Sequence, residues 1–204
     1  ARPAPPGVLK RHMPVIRRDS AAISPDQLVV LTRHMQLTDV RARQELYRLI
    51  EQRPFCMSIS AHKHTHEHRY ITKADGWRGP KPHHHVINVT VSGGWWTGRQ
   101  DERGIPHATM PDGAPNGYSI ITFDGQDYLL DFKAAGRSRD YQMAIQVPER
   151  IDPDSHPDLE VMANVFNGDE QTSVSLTLAD RPVGQMNYVR QFDPAFVQLF
   201  EHEN

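Results

Sequence analysis

The sequence predicts an α+β fold in which an α/β part precedes a β-sandwich-like domain. Two observations carry this prediction. Apolar residues recur at helical spacing and around one buried strand before residue 80, and short alternating segments separated by turn residues follow it. We therefore expect two domains, at residues 1–80 and 81–204. A chain of 204 residues with 38% hydrophobic residues is long enough to bury a core.

The first part of the chain is predicted to place two helices before a buried strand. The segment SPDQ at residues 24–27 is a helix N-terminal signal, so we predict a helix over 25–35. A second helix is predicted over 38–53, since apolar side chains recur on one side until a proline stops it. Residues 55–59 follow as a short buried strand. Open α/β sheets bind ligands in the loops that follow such strands.

After residue 80 the pattern changes to alternation with period two and frequent turn residues. It predicts seven short strands, at residues 84–91, 118–123, 128–132, 142–147, 160–166, 173–178 and 185–189. Strands at such spacing are typical of a β-sandwich or a strongly bent sheet. A last short helix is predicted over 193–200, and the proline-rich segment 148–157 is predicted to be a linker.

Charge and composition exclude several classes of function. The chain has 23 Lys and Arg against 25 Asp and Glu, so we expect no nucleic-acid partner. No stretch approaches the roughly 20 apolar residues that cross a bilayer, and the first residues lack the apolar core of a signal peptide. We therefore expect no membrane span. The single cysteine, Cys56, forbids an internal disulfide and leaves the cellular compartment open.

Histidine is the outlier of the composition, because seven of the 12 histidines lie within residues 62–85. His62, His64, His66 and His68 recur at every second position. In an extended chain such side chains project to one side, about 7 Å apart per step of two residues. This spacing allows neighbouring histidines to bind one metal ion or two adjacent ones. A solvated polar strand without metal is the alternative interpretation.

The segments around this tract resemble the calcineurin-like metallophosphoesterases. Residues 60–65 (SAHKHT) resemble the family's G-H-x-H signature, and residues 12–15 (HMPV) resemble the H-x-P segment that precedes it. The runs GWRGPKPHHHVINVTVSGGWWTG, GIPHATMPDGAPNGYSIITFDG and DYQMAIQVPE are similar to the C-terminal β domain of one bacterial branch. The resemblance is dense over residues 12–147 and looser at 164–168 and 193–194.

This resemblance implies a hydrolase, a phosphoesterase whose complete site holds two divalent ions such as Mn, Zn, Fe or Mg and acts on a phosphoester substrate. It implies that His12 and His62 bind one metal and that His64 binds the other. His66 and His68 would donate hydrogen bonds that orient those ligands or the phosphate, although a partly exposed structural role is favoured for both. The resemblance also implies a periplasmic or extracellular location.

The family's remaining metal and acid motifs precede the H-x-P segment, and only eleven residues precede His12. We therefore expect the C-terminal half of such an enzyme, with the C-terminal remnant of its α/β core at residues 1–80. This half would be inactive or weakly active alone and would hold metal weakly. We expect association with the missing N-terminal half, or a homo-oligomer formed through the surface that this half would cover. Ala61 stands where the family has glycine, so a positive φ there would be strained.

Three further segments have both a structural and a functional interpretation. Residues 83–85 (HHH) enter a strand, where packing or hydrogen bonding is favoured over a place at the mouth of a site. Trp95 and Trp96 suggest domain-interface core or a stacking platform. The platform supports the alternative function, a non-catalytic β-rich binding or assembly module. Residues 111–118 (PDGAPNGY) fit a tight turn better than a pocket.

Overall fold

The computed structural model describes residues 12–88, 90–95, 98–100, 104–148, 150 and 159–203. Helices and sheets are both present, which confirms the α+β class. Contacts divide the chain into unit 1, from Ala1–Val89 and Ile120–Asp131, and unit 2, from Thr90–Ser119 and Phe132–Asn204. The domain boundary predicted at residue 80 falls inside unit 1 and stays a prediction.

Unit 1 contains a four-stranded sheet in the order β1-β2-β4-β3. Its strands are β1 (Val29–Thr32), β2 (Cys56–Ser60), β3 (His66–Ile71) and β4 (His83–Asn88). β1 with β2 and β2 with β4 are parallel, whereas β3 is antiparallel to β4. The first residue of β3, His66, therefore pairs with the last residue of β4, Asn88. We call this end of the sheet the carboxyl end and the opposite one the amino end.

Two helices of unit 1, α1 (Met13–Ala22) and α2 (Arg43–Ile50), contribute to its core. α2 places apolar residues at helical spacing on one face, and three of its side chains are buried. The core cluster joins Met13, Leu37, Leu46, Tyr47, Ile50, Ile71 and Trp77. Full burial of one such side chain contributes about 1.5–3 kcal/mol, so this cluster holds the helices and the sheet together.

The helix predicted over 25–35 is wrong, because Val29–Thr32 is strand β1 and pairs in register with β2. Its valines suit a pleated sheet, and pairing with β2 overrides the local helix signal. The segment HMPV instead begins helix α1, whose first turn contains proline. The second helix is confirmed but shorter, as α2, and the buried strand is confirmed as β2.

After residue 116 the described strands pair two by two. The pairs are β5 (Gly117–Asp124) with β6 (Asp127–Ala134), β7 (Met143–Gln146) with β8 (Met162–Val165), and β9 (Ser175–Leu178) with β10 (Arg181–Gln185). The strand predicted at 185–189 lies earlier, as β10, and the β-sandwich stays a prediction. Most of the predicted linker 148–157 lies outside the described residues.

The last helix, α3 (Pro194–Glu203), is confirmed and is held by a buried aspartate. The Asp193 carboxylate accepts hydrogen bonds from the side-chain amides of Gln146 and Asn164, both at 2.8 Å. It also accepts the backbone N–H groups of Ala195 and Phe196 and so caps the helix. Three separate segments of unit 2 therefore meet at one side chain. No helix among the described residues is long and apolar enough to cross a membrane.

Candidate metal centre

Two histidines face each other at the carboxyl end of the unit 1 sheet. His34 follows β1, and His62 follows the neighbouring parallel strand β2. Nδ1 of His62 lies 2.9 Å from Nε2 of His34, and the two rings meet edge to face. Both side chains are exposed, so a ligand arriving from outside unit 1 can reach them.

The backbone continues the strand pairing up to these two residues. The Arg33 N–H donates to the Ile59 carbonyl at 3.0 Å, and the Ala61 N–H donates to the His34 carbonyl at 3.0 Å. Adjacent strands lie about 4.8 Å apart. The sheet itself therefore sets the separation of His34 and His62.

The loop that carries the second histidine is strained. His62 has φ 79° and His64 has φ 52°, both in the left-handed region that residues with a Cβ rarely adopt. Each such residue costs on the order of 1 kcal/mol, and such strain is concentrated at functional sites. Ala61 has no positive φ, so the strain expected there falls one residue later. The Lys63 ammonium lies 3.6 Å from the Asp39 carboxylate and ties this loop to the Leu37–Asp39 helical turn.

His12 is the exposed N-cap residue of α1, and its side chain makes no capping hydrogen bond. The hydrogen-bond and ring contacts of His62 are with His34. A shared metal ion at His12 and His62 therefore stays a prediction, and so does the assignment of half-buried His64 to a second ion.

His66 and His68 do not continue the loop but lie in strand β3. His66 is buried, with 8% of its surface exposed. Nδ1 of His68 lies 2.9 Å from Nε2 of His84, and the other ring nitrogen of His84 lies 2.7 Å from the Tyr128 hydroxyl. Burial raises the pKa of Tyr128 to about 12, so this hydroxyl keeps its proton at neutral pH. The His84 ring stacks with the rings of His68 and Tyr128.

His83 and His85 belong to a buried network. Nε2 of His85 accepts the Leu37 backbone N–H, so the ring proton is on Nδ1, which donates to Ser58 Oγ at 2.7 Å. The Ser58 hydroxyl then donates to Nε2 of His83 at 2.8 Å. Burial lowers the pKa of His83 to about 4 and that of His85 to about 3. Both rings are therefore neutral, and the packing role predicted for residues 83–85 is confirmed for these two.

His34 is not among the residues that the sequence pattern singles out, because it lies inside the helix predicted over 25–35. The signal that identifies it is its place directly after a parallel strand, next to the strand that carries the histidine loop.

Two other predicted features lie in unit 2. Trp95 is 67% exposed and has φ 74°, and Trp96 lies outside the described residues. In the segment PDGAPNGY, the Asp112 carboxylate accepts the Ala114 N–H, and the Asn116 amide donates to the Val91 carbonyl. The first contact is local, and the Gly113 N–H also donates to the Met110 carbonyl at 2.8 Å, as in a tight turn, whereas the second contact joins residues 25 positions apart in the chain.

The chemistry available at the carboxyl end is that of two imidazole nitrogens. Among the described residues, no group of three or more His, Cys, Asp and Glu side chains is arranged to hold a metal ion. Structural zinc sites have four ligands and catalytic ones have three plus water. The pair of His34 and His62 supplies fewer nitrogens than either kind of site uses.

Comparison with known proteins places the chain by its second half. The family model for the C terminal of calcineurin-like phosphoesterase matches residues 84–204. No curated protein and no solved structure matches the chain. The matched region begins within β4, after the histidine loop, and includes all of unit 2.

Proposed function

We propose that this chain, which belongs to the calcineurin-like phosphoesterases through their C-terminal domain, supplies the C-terminal ligands of a dinuclear metal centre. The observation that carries the proposal is the 2.9 Å approach of His62 Nδ1 to His34 Nε2 at the carboxyl end of two parallel strands. The parent activity would be metal-dependent hydrolysis of a phosphoester.

The residues present fit a divalent ion in three respects. Neutral imidazole is a ligand of Zn²⁺, Mn²⁺ and Fe, and two nitrogens about 2.0–2.1 Å from one ion lie roughly 3 Å apart. The observed separation of 2.9 Å, at which the two rings hydrogen-bond directly, is close to that value. Both side chains are exposed, and His62 is held in a strained backbone conformation.

We assign the first ion to His34 and His62, with His34 in the place that His12 has in the sequence-based expectation. His64, in the same strained loop, would bind the second ion. When bound, such cations neutralise phosphate charge and lower the pKa of the water that attacks phosphorus. The chain's own part is to hold these imidazoles at the carboxyl end of the sheet.

The carboxylates that a dinuclear centre needs would come from a phosphoesterase core that carries the aspartate-x-histidine, G-D-x-x-D and asparagine-histidine motifs. We expect this core to bind at the carboxyl end of the sheet, where the exposed imidazoles lie. The chain alone then binds metal weakly and has little or no phosphatase activity.

Calorimetric titration of the metal-free chain with Zn²⁺ and with Mn²⁺ tests the assignment. We expect weak, saturable binding that His34→Ala and His62→Ala each reduce by at least about tenfold, because each removes one of two nitrogens. His12→Ala is the matched control, since it removes an exposed histidine of α1, and we expect unchanged binding. Circular dichroism checks that each variant is folded.

Equal loss in all three variants would contradict a defined pair and indicate general histidine affinity. Loss with His12→Ala but not with His34→Ala would restore the original ligand assignment. Absence of metal binding, together with ligand-dependent quenching of tryptophan fluorescence, would favour the binding or assembly module. Addition of a phosphoesterase core in trans should produce phosphatase activity that His62→Ala abolishes.

A further inference from the structure

Unit 1 has an open cavity of about 560 Å³ far from the histidine pair. It is lined by Gln44, Arg48, Lys73, Gly76, Trp77 and Arg78. Four of these residues belong to the segment that connects β3 to β4. The last residue of β3, Ile71, pairs with the first residue of β4, His83, at the amino end of the sheet. The six residues of β3 separate the two ends by roughly 20 Å. We call this cavity the amino-end groove.

The floor of the amino-end groove is fixed by hydrogen bonds between α2 and the connecting segment. The Arg48 guanidinium donates to the Gln44 side-chain carbonyl at 3.0 Å and to the Gly76 carbonyl at 2.7 Å. The Gln44 amide donates to the Asp75 carbonyl at 3.0 Å. Gly76 has φ +88° and ends the helical turn that precedes it. The groove is therefore built before any ligand arrives.

Trp77 anchors the connecting segment to the core of unit 1. Its indole N–H donates to the Lys81 carbonyl at 2.8 Å, and its ring packs edge to face on Tyr47 at 5.5 Å. Only 5% of its surface is exposed. The backbone on either side, which carries Lys73 and Arg78, is thus fixed relative to the unit 1 core.

The carboxylates near the groove are already engaged by groups of the chain. Glu51 is 5% exposed, and it pairs with Arg48 and accepts the backbone N–H of Arg78 at 3.2 Å. Asp75 accepts the Thr72 N–H at 3.0 Å and lies 3.4 Å from Arg69.

The cations of the groove differ from these carboxylates. The Lys73 and Arg78 side chains are exposed, and within the described part of the chain neither has an ion pair. The groove therefore presents two cations that its own acids do not neutralise.

We propose that the amino-end groove binds a phosphate group, free or as a phosphomonoester, at a site separate from the metal centre. An ammonium and a guanidinium from residues that line one cavity are donors of the kind that bind phosphate in proteins. The cavity volume of about 560 Å³ lies within the range of small-molecule sites, about 300–1,000 Å³, and leaves room for an organic group beside the phosphate. The proposal does not depend on the metal ligands, because the groove lies at the other end of the sheet.

The test is a titration of the full chain at constant ionic strength, with EDTA present to remove metal. Inorganic phosphate and phenylphosphonate, a non-hydrolysable analogue of a phosphomonoester, are the two probes. We expect saturable shifts of the backbone amide NMR signals of Lys73, Gly76 and Arg78. The double variant Lys73→Gln, Arg78→Gln should weaken binding by at least about tenfold, since it removes both charge-assisted contacts.

The matched control is Arg17→Gln, Arg18→Gln, which removes the same charge from exposed positions of α1. We expect this variant to leave the phosphate affinity unchanged. The double variant His34→Ala, His62→Ala should also leave it unchanged.

Tighter binding of phenylphosphonate than of phosphate would assign the groove to a phosphomonoester, and equal binding would assign it to the phosphate group alone. An equal loss of phosphate affinity in the Lys73→Gln, Arg78→Gln variant and in the Arg17→Gln, Arg18→Gln variant would mean an adventitious ion only and would overturn the proposal. Shifts that do not saturate would have the same meaning. Shifts confined to the His62 loop would also overturn it.

Discussion

The Ser58 hydroxyl lies 2.7 Å from Nδ1 of His85, in a network of buried side chains. The same oxygen lies 2.8 Å from Nε2 of His83, so one serine on β2 connects two buried imidazoles of β4. Because Leu37 donates to the far nitrogen of His85, the direction of every proton in this row is fixed. The sheet of unit 1 therefore depends on two histidines that stay neutral.

The first prediction concerns acid stability. Burial lowers the folded-state pKa of His83 to about 4 and of His85 to about 3, while unfolded histidine titrates near 6.5. Below pH 6.5 the unfolded state binds more protons, so the free energy of unfolding falls as pH falls towards 4. The slope is about 1.4 kcal/mol per pH unit for each histidine. Urea unfolding at several pH values between 7.5 and 4.5 measures it.

His83→Gln is the control for this slope, because it removes one titrating ring and retains a side chain that can hydrogen-bond. We expect it to be less stable at pH 7.5 and to have about half the pH dependence. Stability that does not change between pH 7 and 5 would contradict the assignment of two neutral buried histidines.

The second prediction concerns the serine itself. Ser58→Ala leaves the Nδ1 proton of buried His85 without its acceptor, so we expect a loss of about 1–3 kcal/mol in the free energy of unfolding. Ser60→Ala is the matched control, because Nε2 of His85 keeps the Leu37 N–H donor when the Ser60 hydroxyl is lost. Chemical denaturation of both variants at pH 7.5 compares them. A larger loss for Ser60→Ala would reverse the proton direction assigned here.

The third prediction concerns the single cysteine. Burial raises the pKa of the Cys56 thiol to about 12, so almost no thiolate is present at pH 8. We expect a thiol reagent such as dithionitrobenzoate to react at least about 100-fold more slowly with the native chain than with the urea-unfolded chain. The unfolded chain, with one reactive thiol, is the internal control. Rapid native reaction would show that β2 opens readily.

The fourth prediction concerns the centre of unit 2. Asp193→Asn places an amide N–H₂ against donors that now reach a carboxylate, so we expect unfolding to be easier by about 2 kcal/mol. Asp180→Asn, at an exposed turn, should leave the stability unchanged. Thermal unfolding compares the two variants. Equal midpoints would show that the Asp193 cap does not hold the three segments together.

Local sequence signals predicted much of the fold. β2, α2, α3 and the position of the histidine loop were predicted because each has a local cause, an apolar run or helical spacing ended by a proline or a polar loop. The local sequence pattern does not predict β1, because helix signals precede and follow its four residues. Only the pairing with β2 makes this segment a strand. The missed strand is also why His34 was missed.

What the sequence by itself determined is the chemistry that unit 1 contains. It concentrates histidines after a buried strand, and it carries segments that identify the family. Which histidine meets His62 was decided only by the tertiary structure. His34 lies 28 residues earlier in the chain, and only the parallel pairing of β1 with β2 brings it within hydrogen-bonding distance. Likewise, only the burial of β4 separates His83 and His85, which pack, from the exposed rings of His34 and His62. Composition and spacing do not encode burial or strand pairing, because both depend on contacts between residues far apart in the chain.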